Sequence, residues 1–168
     1  NVDQYLCVMD FFRAFQVGTA NSIVHFAKAL KERNADMLVG AFYGSFGCTS
    51  FFHSGTAGGT MIILDSGYLD FLAAPGNYDE RQPGGVTAQR EMQDSFRLRG
   101  QMFVVEEDTR THRDKMLYRE TMNLYRYEDS EKILKRDFGR DVCEDLYAWW
   151  FDQTPGGGRY EDPEIYRL

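Results

Sequence analysis

Four short apolar runs, each broken off by polar or glycine-rich sequence, constrain this chain more than any other feature. They are residues 37–46 (MLVGAFYGSF), 69–74 (LDFLAA), 102–105 (MFVV) and 146–152 (LYAWWFD). Apolar runs of this length, rich in β-branched and aromatic residues, read as strands buried on both faces. The sequence between them is helical in pattern. Residues 3–15 carry Tyr5, Leu6, Met9, Phe12 and Phe15 at helical spacing, apolar on too many sides for a surface helix. After Gly18, Thr19 or Asn21 caps a second predicted helix whose Ile23, Val24, Phe26, Ala27 and Leu30 form one face. His25 within it has no partner at ligand spacing and reads as an ordinary helix histidine. Residues 60–64 and 93–98 are short helical pieces, and Asp129 caps a helix in which Ile133, Leu134, Phe138 and Val142 recur. The stretch between His112 and Asp129, with Tyr118, Tyr125 and Tyr127, is charged and partly loop, and Asp162-Pro163-Glu164 opens a last helical turn.

Strands that end in polar sequence and return through helices make repeated βα units. These imply an α/β fold with a parallel sheet and a site at the carboxyl ends of the strands. No GxGxxG or GxxxxGK[ST] follows any strand, and GTAGG at 55–59 fits neither, so nucleotide binding has little support. That favours a (β/α)8 barrel over an open doubly wound sheet, although four strands cannot close one.

At 168 residues the chain has the length of one domain. Its net charge of −7 argues against nucleic acid and against a polybasic membrane contact, leaving a neutral or cationic small molecule as the easier partner. Cys7, Cys48 and Cys143 are odd in number and form no CxxC, so they are expected to be buried structural thiols. No apolar run is long enough to span a bilayer and no signal-peptide pattern is present. The chain begins at Asn1 and not at a methionine, so it reads as a piece of something longer and its compartment is left open.

Collected at the four strand ends are Tyr43; Asn77, Tyr78 and Arg81; Glu106, Asp108, Arg110 and His112; and Trp149, Trp150 and Asp152. Aromatics beside carboxylates suit carbohydrate, because a sugar offers an apolar face for stacking and a rim of hydroxyls for charged acceptors. Side chains alternate along a strand, so Met102, Val104 and Glu106 share one face, and Phe103, Val105 and Glu107 the other. A retaining glycosidase needs one carboxylate ionised as nucleophile, a role that Glu106 fits, with Arg110 and Tyr78 expected to hold it ionised. Plainer readings stand beside these. Glu106 and Asp108 also read as a solvated strand end paired with Arg110, the tryptophans as core, and Arg81 as a surface ion pair. A metal site built on the carboxylates with His112 and His53 lacks HxH and HExxH spacing, so no metal and no cofactor is expected.

These residues resemble the C-terminal half of the catalytic barrel of clan A glycoside hydrolases, near the family 42 β-galactosidase-like group. The resemblance rests on VGAFYG at 39–44, LDFLAAPGNYDER at 69–81, DSFRLRG at 94–100, EEDTRTH at 106–112 and AWWFDQTPGGGRYEDP at 148–163. EEDTRTH after an apolar strand is the most specific of them. It implies that residues 1–168 are about strands 5 to 8 of a TIM barrel with their helices. It also implies that Glu106 is the nucleophile at the end of strand seven, and that Glu107 faces the helices. Tyr78 would be the tyrosine near the nucleophile, and Trp149 or Trp150 the aromatic under the reacting sugar. Tyr43, Arg81, Asp108 and Arg110 complete the expected substrate-binding set. The expected partner is a carbohydrate, with neither nucleic acid nor membrane, and with self-association left open. The acid/base glutamate belongs to strand four, upstream of Asn1, so the expectation is an active full-length glycosidase and an inactive fragment. A barrel relative that binds glycans without cleaving them is the alternative.

Overall fold

The computed structural model describes residues 2–44, 58–86, 92–152 and 158–168, with the backbone alone at 2–4 and 116–118. Cys48, His53, Gly55 and the loop at 155–157 lie outside the described residues. The element order is α1 (Val2–Arg33), β1 (Gly40–Phe42), α2 (Thr60–Asp65), β2 (Phe71–Pro75), α3 (Gln93–Arg97), β3 (Met102–Glu107), α4 (Met116–Met122), α5 (Tyr127–Cys143), β4 (Tyr147–Trp150) and a 3-10 turn (Ile165–Arg167). The four parallel strands form one sheet in chain order, β1-β2-β3-β4. This α/β sheet is compatible with part of an α/β barrel: the strand order does not reverse, as it would at the switch point of a doubly wound sheet. All four predicted strands are present: β1 and β4 are shorter than their apolar runs, β2 is offset from its run, and β3 extends beyond its run through Glu106 and Glu107.

Two compact units divide the chain. The first comprises Asn1–Ala74 with Arg90–Val104. Here α1 is one continuous helix, which corrects the predicted break at Gly18. A glycine inside a helix costs only about 1 kcal/mol, too little to interrupt a 32-residue helix. Thr19 and Asn21 lie inside α1 and cap nothing; the Thr19 hydroxyl, and that of Ser22, donate to the carbonyls of Phe15 and Gly18, four residues back, each at 2.9 Å. Of the predicted apolar face Ala27 is buried, as is Ala20 outside it, but Phe26 is 67% exposed and Leu30 is exposed. The reason is close approach. A Cβ added at Gly59, beside α2, would lie 2.5 Å from Ala20 Cβ and 2.9 Å from the Gln16 carbonyl, so only small residues fit that contact. Across β1 and β2, Gly40 pairs with Phe71, whose ring occupies the space a side chain at Gly40 would need. Asp70 ties α1 to this sheet edge by accepting from Lys31 Nζ at 2.7 Å and from the Val39 amide at 2.6 Å. Burial alone would raise the Asp70 carboxyl, but those two donors outweigh it and hold it below the ordinary carboxylate range.

The second unit comprises Pro75–Gln89 with Val105–Leu168. Its interior mixes Val105, Leu124, Ile133 and Leu134 with Arg81, Glu107, Asp108, Thr109, Thr111, Asp114, Ser130, Asp137, Asp141 and Arg159, all buried. Helix α4 falls in the stretch expected to be partly loop, so two helices separate β3 from β4. Asp129 is not the cap residue of α5 but its third residue, reaching back to accept the Arg126 amide at 3.2 Å and the Tyr125 amide at 3.3 Å. The predicted inner face of α5 is half right. Ile133 and Leu134 are buried, but Phe138 and Val142 are each 62% exposed, and Asp137 and Asp141 point inward in their place. Cys7 and Cys143 are exposed, which overturns their reading as buried thiols. Among the described residues no helix is long and apolar enough to cross a membrane.

Candidate active site

The second half of β3 sorts its two glutamates by strand parity. Glu107 emerges on the face covered by α5, where Arg140 Nη2 donates to its Oε1. Glu106 leaves on the other face, 9% exposed, and accepts a hydrogen bond from the side chain of Trp149 on β4. Burial raises the Glu106 carboxyl above its usual range, the Asp108 charge adds to the rise, and the Trp149 N–H opposes it. The direction reverses the expectation that neighbouring groups hold this carboxylate ionised. Of the two residues cast in that role, Tyr78 donates its hydroxyl to Asp108 Oδ2 at 3.0 Å, and Arg110 Nη1 lies 3.4 Å from Asp114 Oδ1.

Asp108 is fully buried and braced from the loop after β2. Its Oδ1 accepts from Arg81 Nη1 at 2.5 Å, and the Arg81 guanidinium stacks on the Tyr78 ring 4.2 Å from its centroid. The remaining Arg81 nitrogens donate to the carbonyls of Asn77 at 2.5 Å and Gly76 at 3.1 Å. Arg81 is therefore no surface ion pair. It is a 4%-exposed clamp that ties the ends of β2 and β3 together.

The tryptophan pair splits. Trp149 turns to Glu106, whereas Trp150 meets Tyr160 edge-on at 5.9 Å and lines a cavity of about 560 Å³ with Leu134, Phe138 and Tyr166. Trp150 thus stands on the α5 side of the sheet and not beside Glu106. Tyr43 belongs to the first unit, where it is a core residue whose hydroxyl accepts the Gly59 amide at 3.0 Å. His112 lies between Ser130 Oγ, 2.9 Å from Nδ1, and Asp162 Oδ2, 3.3 Å from Nε2. Asp152 accepts the Arg159 amide at 2.9 Å.

Sequence reasoning missed the network behind the strand end. The Thr109 hydroxyl lies 3.0 Å from Glu107 Oε2 and 2.8 Å from Asp137 Oδ2, and it has one hydrogen to give. Two carboxylates around one hydroxyl leave lone pairs facing lone pairs unless one acid is protonated. Burial supplies the asymmetry. It pushes Glu107 up to about 7 against the opposing Arg140 charge, with Asp137 and Asp141 adding to the rise. Arg140 also contacts Asp141 at 2.9 Å, and Arg136 contacts Asp137 at 2.8 Å. The signal available in the sequence was that Asp137 and Asp141 repeat at a spacing of four, as do Arg136 and Arg140, which lines each pair along one side of a helix beside an apolar stripe. Arg159 gave no such signal; it is fully buried, with Nε 3.0 Å from Asp114 Oδ2 and Nη1 donating to the Asp108 carbonyl at 2.9 Å. Among the described residues no group of three His, Cys, Asp or Glu side chains could hold a metal ion.

No family model matches the chain, and comparison with curated proteins and with solved structures finds no similar one.

Proposed function

We propose that this chain is part of a retaining β-galactosidase-like glycosidase in which Glu106 is the nucleophile. Its four parallel strands would be strands five to eight of a (β/α)8 barrel. The observation that carries the reading is the Glu106 carboxylate at the end of β3, on the face away from α5 and hydrogen-bonded by Trp149. In the reaction, this carboxylate attacks the anomeric carbon as the leaving oxygen is protonated, and water then releases the covalent glycosyl group. A general acid about 5 Å from the nucleophile is required. Asp108 does not suit that part, because Arg81 and Tyr78 already occupy its two oxygens. By the resemblance the acid is a glutamate of barrel strand four, and the chain alone is expected to be inactive. Trp149 supports the nucleophile by favouring its ionised form against burial and the Asp108 charge.

The test uses the protein expressed from its complete coding sequence, assayed on aryl β-glycosides. Glu106→Gln lowers kcat by about a thousandfold or more, and a 2-deoxy-2-fluoro glycoside with a good leaving group labels the Glu106 peptide. Retention of most of the activity by Glu106→Gln overturns the assignment. Saturable sugar binding with no turnover by the unaltered protein favours the non-catalytic relative.

A further inference from the structure

The cavity that Trp150 lines on the α5 side of β4 has a volume of about 560 Å³, which suits a small molecule. Its wall is mostly apolar, and four of its residues are aromatic: Phe138, Trp150, Tyr160 and Tyr166. Trp150 and Tyr160 stand nearly perpendicular, at 73° with ring centroids 5.9 Å apart, so the two rings form a corner. That corner is held in place. The Tyr160 hydroxyl lies 2.9 Å from the Thr109 carbonyl and 3.2 Å from the Glu107 carbonyl, so it is spent on the end of β3, and the ring is what Tyr160 offers the cavity. Asp152 accepts the Arg159 amide at 2.9 Å, which ties the end of β4 to the residue before Tyr160. Phe138, Trp150 and Tyr166 are 62%, 44% and 74% exposed, so a solute can reach them.

The charged residues of the wall set the sign of the ligand. Among the described residues that line it, Asp152 and Glu161 are acids and Lys135 is the one base. Lys135 Nζ lies 2.6 Å from Glu131 Oε1, so its charge is already answered. Glu161 is exposed and makes no hydrogen bond or ion pair among the described residues. The Tyr127 hydroxyl senses the same field: partial burial raises it first, and the charges of Glu131, Glu164 and Asp162 raise it further against Lys135 alone. An excess of carboxylates here, within a chain of net charge −7, draws cations. Aromatic rings attract a cation through their quadrupole, and a quaternary ammonium suits an apolar wall because its methyl groups give up water easily while the charge remains.

We propose that this cavity binds a small organic cation, a quaternary or aryl-substituted ammonium compound, among Trp150, Tyr160, Tyr166 and Phe138. The site needs no turnover and does not rest on the glycosidase reading. The experiment titrates the full chain at fixed ionic strength with benzyltrimethylammonium, with choline and with 3,3-dimethylbutan-1-ol, the uncharged isostere of choline. Binding is followed by calorimetry and by the two indole N–H resonances. Benzyltrimethylammonium should shift the Trp150 resonance saturably and leave that of Trp149, which is bound to Glu106, in place. Choline should bind more tightly than its isostere. Trp150→Leu keeps an apolar wall but removes the ring, and should weaken benzyltrimethylammonium binding by about two- to thirtyfold. Glu161→Gln should weaken choline and leave the isostere unchanged, a split that a merely structural role would not produce. Should Trp150→Leu fail to fold, Tyr166→Leu makes the same test at an exposed position. No saturable shift of the Trp150 resonance, or unchanged affinity in the folded aromatic variants, overturns the site. A shift of the Trp149 resonance alone overturns it too, by placing the cation at Glu106. An isostere that binds as tightly as choline overturns the assignment to a cation.

Discussion

Replacing Glu107 by glutamine tests whether a proton is buried behind the strand end. In the native chain this carboxyl is lifted to about 7 by burial, while in an unfolded chain it titrates near its ordinary 4.5. The folded state then holds the proton more tightly, so this contribution to stability is complete below the unfolded value and is lost as pH rises through about 7. Integrated over both titrations, the loss reaches roughly 3 kcal/mol at pH 8, of which about 2.5 kcal/mol falls between pH 5 and pH 8. Glutamine copies the protonated acid: its amide N–H can donate to Thr109 Oγ1, and its carbonyl can accept from Arg140. Urea unfolding of the wild type and of Glu107→Gln at pH 5, 6, 7 and 8 gives the difference directly, and the subtraction removes the other titrating groups, including Asp141, which burial also raises. The variant should match the wild type within about 1 kcal/mol at pH 5 and exceed it by about 2 kcal/mol or more at pH 8. Parallel pH curves for the two proteins, or a variant less stable at pH 8, refute the buried proton.

Two further outcomes follow from the clamp and from the indole bond. Arg81→Met leaves Asp108 charged and buried, and should cost about 3–5 kcal/mol in chemical unfolding; a loss below about 1 kcal/mol would mean the pair is surface-like. Trp149→Phe removes the donor that lowers the Glu106 carboxyl, so in the complete enzyme the acidic limb of the kcat/KM profile should move to higher pH. An unmoved limb would detach Trp149 from the nucleophile.

The α/β class, the positions of the four strands and the split between Glu106 and Glu107 were legible in the sequence, because each follows from a short-range period. Strand parity alone separates adjacent residues onto opposite faces, and it separates Glu107, bound to α5, from Glu106, bound to Trp149. Local rules failed where a weak preference met tertiary packing. Gly18 did not break α1, and Phe138 and Val142 gave up the inner face of α5 to Asp137 and Asp141, whose charges found arginines and the Thr109 hydroxyl. Charge partnership was the least legible of all. Arg81 and Asp108 are 27 residues apart, and Arg159 and Asp114 are 45 apart. A charged residue carries no local mark of its distant partner, so EEDTRTH announced a strand end crowded with charge. Only the tertiary structure decided that Asp108 is clamped by Arg81 and Tyr78, that Glu107 is held by α5, and that Glu106 is left to Trp149.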